Sequence, residues 1–442
     1  MKGLLGWRQR LTETIRRDRF LRRLALLSGG TVIGQAVTLL VSPLLTRLFT
    51  PAEFGLLGVF VALCLLPSAI MVLRYELAIP VCRDDAEAAR ITMASLLVGA
   101  VMAALIGLGV LLLHGWLTGR MATPGLETAL WLLPVSLLFW GWSLPLSAWS
   151  IRRGTFRANA AGKVLQMLAQ AVAQLGLGLA GSGAIGLVLG YALGHLARCA
   201  YFVRHLGSDD RALLRAARPA GMLRSLREHW RYPLYSSPSA LLQNAALSLP
   251  ALLLATLYGP AVAGWFTLAQ RLLEAPVLLL STSASAAYLG ELRELDAAGI
   301  RRLFLRTAGR FLALGLLGMG PLLLVAPPLF ALAFGEEWRT SGVMVQCLIP
   351  AQLARFVVTP ITQTLNVYRR QDLHLVSAGI NFVALGAGFG LAWYAGLGPV
   401  ATLLLFSLGS CLAYLVYLLL AWRVIRAATA AGVRPHGSAA AD

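Results

Sequence analysis

Charge is scarce in this sequence. Only 13% of its 442 residues are Asp, Glu, Lys or Arg and 58% are apolar, whereas a soluble domain carries roughly 25% charged residues. That deficit excludes a protein surrounded by water on all sides. Acid is scarcer than base, 19 residues against 38. Lysine is nearly missing: only Lys2 and Lys163 are not arginine among the basic residues, which together with abundant Ala, Gly and Leu suggests a GC-rich bacterial genome. The five cysteines (Cys64, Cys82, Cys199, Cys347, Cys411) are odd in number, widely spread and without a C-x-x-C pair. They supply no disulfide framework and no metal-ligand spacing, so they read as small buried hydrophobes, and no metal or cofactor is expected. Room for a catalytic domain is also lacking. The longest polar stretch, about Arg204 to Pro233, is shorter than the roughly 40 residues an uncross-linked core needs.

What the chain does have is apolar runs, each matching the roughly 20 residues that cross a 30 Å bilayer core. Windows bounded by charges or Gly/Pro predict helices near 24–45, 54–73, 91–113, 126–150, 161–180 and 183–204. A second set falls near 236–257, 261–284, 303–326, 342–365, 374–395 and 398–422. The expected fold is an all-α integral membrane protein of about twelve transmembrane helices in two six-helix lobes. Residues 1–23 would form a basic cytoplasmic segment, 24–204 the N-lobe, 205–235 an Arg-rich cytoplasmic connection, 236–422 the C-lobe and 423–442 a cytoplasmic tail. The first 23 residues carry eight Lys/Arg and no apolar core with a cleavage site. They read either as an amphipathic lead-in resting on anionic headgroups or as a plain positive-inside anchor.

Orientation follows from the arginines. With a cytoplasmic N-terminus, all basic residues fall on the cytoplasmic side or its interface except Arg47, Arg120, Arg339 and the intrahelical Arg271 and Arg355. Both termini are therefore expected in the cytoplasm. An offset of 209 residues superimposes Leu48-Phe49-Thr50-Pro51-Ala52 on Leu257-Tyr258-Gly259-Pro260-Ala261, Gly55 on Gly264 and Pro67 on Pro276. Two prolines and a glycine in one register point to parallel repeats related by an axis along the membrane normal. Two hairpins that each need proline after a helix end are the simpler alternative.

Intramembrane ionisable residues are functional candidates because a charge at bilayer depth is costly. Arg271 and Arg355 lie deep in predicted spans, and Arg74 sits at the exit of the second. Each has a plain reading beside the functional one. Arg271 and Glu274 could neutralise each other at i,i+3, and Arg74 could snorkel to headgroups near Glu76. Arg355 has no acid within a turn, so its partner must come from another helix or from a ligand. Gln166, Gln170 and Gln174 form one stripe on the fifth helix, and Gln35, Gln243, Asn244, Gln346, Gln352, Gln363, Asn366 and Asn381 mark others. Such amides suit sugar hydroxyls and equally well hold helices together. A cavity richer in arginine than in carboxylate would favour a phosphate-bearing anion.

The first helix runs into Leu44-Leu45-Thr46-Arg47-Leu48-Phe49-Thr50-Pro51-Ala52-Glu53-Phe54-Gly55. A second stretch, Leu73-Arg74-Tyr75-Glu76-Leu77-Ala78-Ile79, precedes Asp84-Asp85-Ala86-Glu87-Ala88. Both resemble the opening of the Wzx-type polysaccharide and O-antigen flippases of the multidrug/oligosaccharidyl-lipid/polysaccharide exporter superfamily. The resemblance implies a non-enzymatic transporter that moves a polyprenyl-pyrophosphate-linked glycan across a bacterial inner membrane by alternating access. It carries a cavity role onto Arg74 by motif and onto Arg271 and Arg355 by helix position. Gln35, Gln170, Gln174, Gln243 and Asn244 are further candidate substrate contacts, and Glu274 and Glu76 the candidates for coupling or ion pairing. Membrane lipids, a polysaccharide polymerase and chain-length machinery are the expected partners, and no nucleic acid is. A multidrug exporter, a membrane glycosyltransferase or polymerase, and an assembly scaffold stand as alternatives.

Overall fold

The computed structural model describes residues 19–121, 123–292, 295, 297–368 and 370–430; the predicted cytoplasmic lead-in and tail lie largely outside these. All regular elements among the described residues are helical, as lipid demands of a backbone that must satisfy its own N–H and C=O groups. The first group comprises α1 (Arg19–Leu48), α2 (Pro51–Ser68), α3 (Asp85–Met121), a short α4 (Leu126–Leu130), α5 (Leu133–Arg152), α6 (Phe156–Leu179) and α7 (Gly183–Arg204). The connection folds into α8 (Ser208–Arg215) and α9 (Pro219–Glu228). Then come α10 (Ser237–Tyr258), α11 (Pro260–Leu292), α12 (Ala297–Met319), α13 (Leu322–Phe334), α14 (Arg339–Ile361), a short α15 (Gln363–Val367), α16 (Gln371–Tyr394) and α17 (Pro399–Ala430). With α12 and α13 taken as one bent span, six long helices precede the connection and six follow it. Seven are long and apolar enough to cross a membrane, or eight with the bent pair.

The repeated Thr/Gly-Pro-Ala motif is a helix start. Thr50 accepts the Glu53 N–H on its hydroxyl, while the Glu53 carboxylate accepts the Thr50 N–H at 2.7 Å, a capping box with proline at the first helical position. At the matching place Gly259 enters α11 at φ 91°, a conformation that favours glycine.

Three spans differ in continuity from the sequence expectation; the fourth, expected over 126–150, is broken into α4 and α5. The second does not run to 73: α2 ends at Ser68, one residue after Pro67. The chain continues in i→i+3 turns, with Ile70 N–H donating to Pro67 O, Leu73 N–H to Ile70 O and Tyr75 N–H to Val72 O. The Leu65 carbonyl accepts from the Ser68 hydroxyl at 2.6 Å and from Asn244 on α10 at 2.8 Å, closing the helix end as a cap does. Pro67 is therefore terminal, whereas Pro276 stays inside the 33-residue α11. The ninth span, expected over 303–326, is two helices bent by 40° at Gly320-Pro321. Pro327 then deprives the Leu323 carbonyl of its intrahelical donor, and Gln346 on α14 donates to it at 2.6 Å instead.

The chain divides into two compact units, residues 1–49 with 59–248, and 50–58 with 249–442. In the first, α7 carries Gly186, Gly190 and Gly194 in a row, and these meet Leu177, Gln174 and Gln170 of α6 so closely that added Cβ atoms would collide. This small-residue seam is how helices approach in lipid. In the same unit α9 lies on α3, with Met222 and Ser225 buried. The helix α8 is tied down by Arg153, which pairs with Asp210 at 2.6 Å and with Asp85 at 2.5 Å. In the second unit α11, α12, α13 and α17 pack around α14.

Candidate functional site

Each unit holds a polar cluster built on long helices. In the first, α6 and α7 bring together Lys163, Gln166, His195 and Arg198. The buried Gln166 accepts on its single amide oxygen from Lys163 Nζ at 3.3 Å and from Arg198 Nη1 at 3.4 Å. Its amide nitrogen lies 3.3 Å from His195 Nε2. His195 is sandwiched by ring contacts, stacked on Trp140 at 4.8 Å and edge-on to Tyr191 at 4.9 Å. The Arg198 guanidinium sits 5.6 Å over the Phe202 ring, a cation–π contact, and its buried Nε has no partner. Among the described residues, no carboxylate pairs with Lys163 or Arg198. Two cations thus share one neutral acceptor, an arrangement with unspent capacity for an anion.

The sequence reading missed Lys163, His195 and Arg198. The signal was available: Lys163 extends the Gln166–Gln170–Gln174 stripe by one turn, and His195 and Arg198 occupy neighbouring turns of the next helix. Of the expected stripe, Gln174 is fully buried and its amide nitrogen donates to the Leu187 carbonyl at 2.9 Å across the seam between α6 and α7, while its amide oxygen has no partner. Gln170 is half-buried against Gly194, and Gln35 on α1 is half-buried.

Arg74, also in the first unit, follows the end of α2. Leu73 and Arg74 both have positive φ, 48° and 62°, a strained conformation for side-chain-bearing residues. Arg74 pairs with the buried Glu76 at 3.3 Å. Burial pushes the Glu76 carboxyl up from its ordinary value and the Arg74 charge opposes that rise. Glu76 Oε2 and Arg74 Nε are buried without partners. Asn244 is occupied by Leu65 and Ser68, and its neighbour Gln243 is exposed.

In the second unit Glu274 on α11 accepts from Gln270 at 3.0 Å and from Arg355 of α14 at 3.3 Å. The alternative of an Arg271–Glu274 pair is not what forms: the carboxylate turns along the 270/274 line of the helix, and Arg355 finds its partner on another helix. Arg271 is half-buried and makes no ion pair among the described residues. Gln352, three residues before Arg355, is buried with its amide oxygen unpartnered. Tyr414 and Asn381 lie near the pair. The Asn366 side chain lies outside the described residues. Next to this cluster, Leu272, Pro276, Leu314, Gly315, Phe330 and Phe356 line an apolar cavity of about 400 Å³.

The fold is that of the membrane transporters of the MOP superfamily. A multidrug resistance MATE family transporter of that superfamily in its inward-facing conformation superposes with a TM-score of 0.67 at 16% identity, covering 92% of this chain and 96% of the other. The lipid II flippase MurJ in an inward closed conformation gives 0.68 at 11% identity, covering 92% and 91%. A MOP superfamily transporter from Pyrococcus furiosus, described as having a binding pocket of reverse polarity, gives 0.58 at 16% identity, covering 92% and 96%. At these identities the likeness concerns fold alone. No curated protein matches the chain. The protein belongs to the polysaccharide biosynthesis protein family, whose profile matches residues 44–342.

Proposed function

We propose that this protein is a flippase that carries a polyprenyl-pyrophosphate-linked oligosaccharide across the bacterial inner membrane for surface polysaccharide assembly. The observation that carries the reading is the Lys163–Gln166–Arg198 cluster, two cations on one amide oxygen with no carboxylate partner among the described residues. A pyrophosphate supplies the missing acceptors, and guanidinium and ammonium both suit it. Under the positive-inside orientation, which places both termini in the cytoplasm, this cluster lies on the side where such a lipid is assembled. Arg74, Arg271 and Arg355 are the further cationic contacts in this reading. Gln35, Gln170 and Gln243 offer amides to the sugars, and the apolar cavity beside Phe356 suits part of the polyprenyl chain. Transport proceeds by alternating access with no covalent chemistry, and the polysaccharide polymerase and chain-length machinery are the partners that receive the product.

The rival transporter reading has less support. A cationic drug calls for free carboxylates, and Glu76 and Glu274, the acids expected near the membrane, already pair with Arg74 and Arg355. A glycosyltransferase needs catalytic acids in a sizeable loop, whereas Asp84, Asp85, Asp209 and Asp210 fall in short connections beside arginines, with Asp85 and Asp210 paired to Arg152 and Arg153.

The test is thermal stabilisation of the detergent-purified protein by undecaprenyl pyrophosphate, with undecaprenol as the uncharged control. Stabilisation by the pyrophosphate alone, lost in Lys163→Gln/Arg198→Gln, supports the reading. Equal stabilisation by both lipids, or none by either, counts against it.

A further inference from the structure

A second polar site lies away from these clusters, where the connection meets the start of α3. Cys82 Sγ, a Glu87 carboxylate oxygen and a His229 ring nitrogen all lie within 4.8 Å of one another. His229 Nε2 and Glu87 Oε1 are 3.8 Å apart. The remaining polar atoms of both side chains are already committed. His229 Nδ1 is 3.0 Å from the Ser225 carbonyl, which fixes Nδ1 as the protonated nitrogen in the neutral ring and turns the Nε2 lone pair towards Glu87. Glu87 Oε2 accepts the Arg83 N–H at 3.0 Å, and the Glu87 N–H donates to Asp84 at 2.6 Å. Two acceptor lone pairs therefore converge with a thiol that donates to the Ala78 carbonyl at 3.2 Å. The three side chains border an open polar cavity of about 780 Å³ whose lining also includes Asp84 and Glu228 together with Arg83, Arg90 and Arg224.

We propose that Cys82, Glu87 and His229 bind a divalent transition metal, best zinc, which fastens the connection between the two halves to the head of α3. Sulfur, imidazole and carboxylate are zinc's usual ligands, and three of them with an open fourth position for water is a recurrent geometry. Bonds of about 2.0 to 2.3 Å set tetrahedral ligand atoms roughly 3.3 to 3.7 Å apart, close to the present His229–Glu87 separation. The imidazole already has the outer hydrogen bond to a backbone carbonyl that metal-bound histidines usually make. The Cys82 thiol, which donates to the Ala78 carbonyl in the free protein, loses its proton to solvent as the thiolate–metal bond forms. Cys82 is thus distinguished from the other cysteines by its neighbours, which the sequence spacing conceals.

Titration of the full-length, detergent-purified protein with Co²⁺ tests this, read by the visible d–d bands of a tetrahedral site and the near-ultraviolet thiolate charge-transfer band. One equivalent is expected to give both, with zinc displacing it. Cys82→Ser should abolish the charge-transfer band, and His229→Gln should weaken binding by at least about tenfold. If Cys82→Ser does not fold, trypsin cleavage of the wild type at Arg218, Arg224 and Arg227 serves instead. Zinc should slow it several-fold in the wild type and leave His229→Gln unaffected. Absence of stoichiometric binding, a charge-transfer band that persists in Cys82→Ser, or protection unchanged in His229→Gln would overturn the proposal.

Discussion

Gly55 and Gly264 approach each other reciprocally, each standing against the proline that opens the other's helix. A Cβ at position 55 would come within 2.6 Å of the Pro260 carbonyl carbon, and one at 264 would overlap the Pro51 carbonyl and stand 2.9 Å from Gly55 N. Residues equivalent under the 209-residue offset thus meet in space, which two unrelated proline-led hairpins would have no reason to do. Neither glycine has a positive φ among the described backbone, so the requirement is for space alone.

Gly55→Ala and Gly264→Ala should each destabilise the protein by about 1 to 3 kcal/mol through overpacking against backbone that cannot yield. The double variant should be less than additive because both collisions open the same seam. Gly176→Ala on α6, where nothing lies within 4 Å, should be neutral or slightly stabilising. Thermal unfolding in one detergent compares all four.

The Glu274–Arg355 pair is about one-third exposed on both sides, so its contribution to stability is small, on the order of 0 to 1 kcal/mol. Its effect on anion binding should be larger in proportion. Glu274→Gln keeps the hydrogen bonds and removes the competing charge, and should tighten binding of inorganic pyrophosphate several-fold. Arg355→Gln should weaken it by a similar factor. Calorimetric titration reads both.

Glu76 supplies a pH dependence with a definite sign. Burial raises its carboxyl above the unfolded value despite Arg74. The native state therefore binds the proton more tightly than the unfolded chain, and the associated stability is present at acid pH and lost as pH rises through the raised value. Glu76→Gln, which mimics the protonated form, should match the wild type at acid pH and exceed it at neutral pH. The melting temperature of both proteins across that range measures the difference.

Gln346→Leu should leave the Leu323 carbonyl without any donor, since Pro327 cannot supply one. A net loss of about 1 to 2 kcal/mol is expected. Gln346→Asn is too short to restore the bond, whereas Gln346→Lys is long enough to do so in part. Melting temperatures rank the three.

Much of the fold was legible because lipid imposes a length and polarity on every span, so the apolar windows fell within a few residues of most helices. The departures came where backbone hydrogen bonding is repaired from outside the segment. Asn244 closing α2 at Leu65, and Gln346 serving Leu323 across the α12–α13 bend, depend on helices that sequence periodicity treats one at a time. The site was legible in part for the same reason. The need of Arg355 for a partner from another helix could be stated from its surroundings in sequence, but not that Glu274 meets it. Lys163 and Arg198 were hidden by the arginine-rich helix margins, where a single cation looks like any other until its lack of a carboxylate becomes visible in space.

The central claim is tested most directly by following a fluorescent undecaprenyl-pyrophosphate oligosaccharide across the bilayer of proteoliposomes containing the wild type or Lys163→Gln/Arg198→Gln. Fast movement in the wild type, reduced at least about tenfold in the variant while its melting temperature stays within a few degrees, is the predicted result. Movement at the wild-type rate in the variant, or no movement above protein-free liposomes with several glycans and ion gradients, would contradict it.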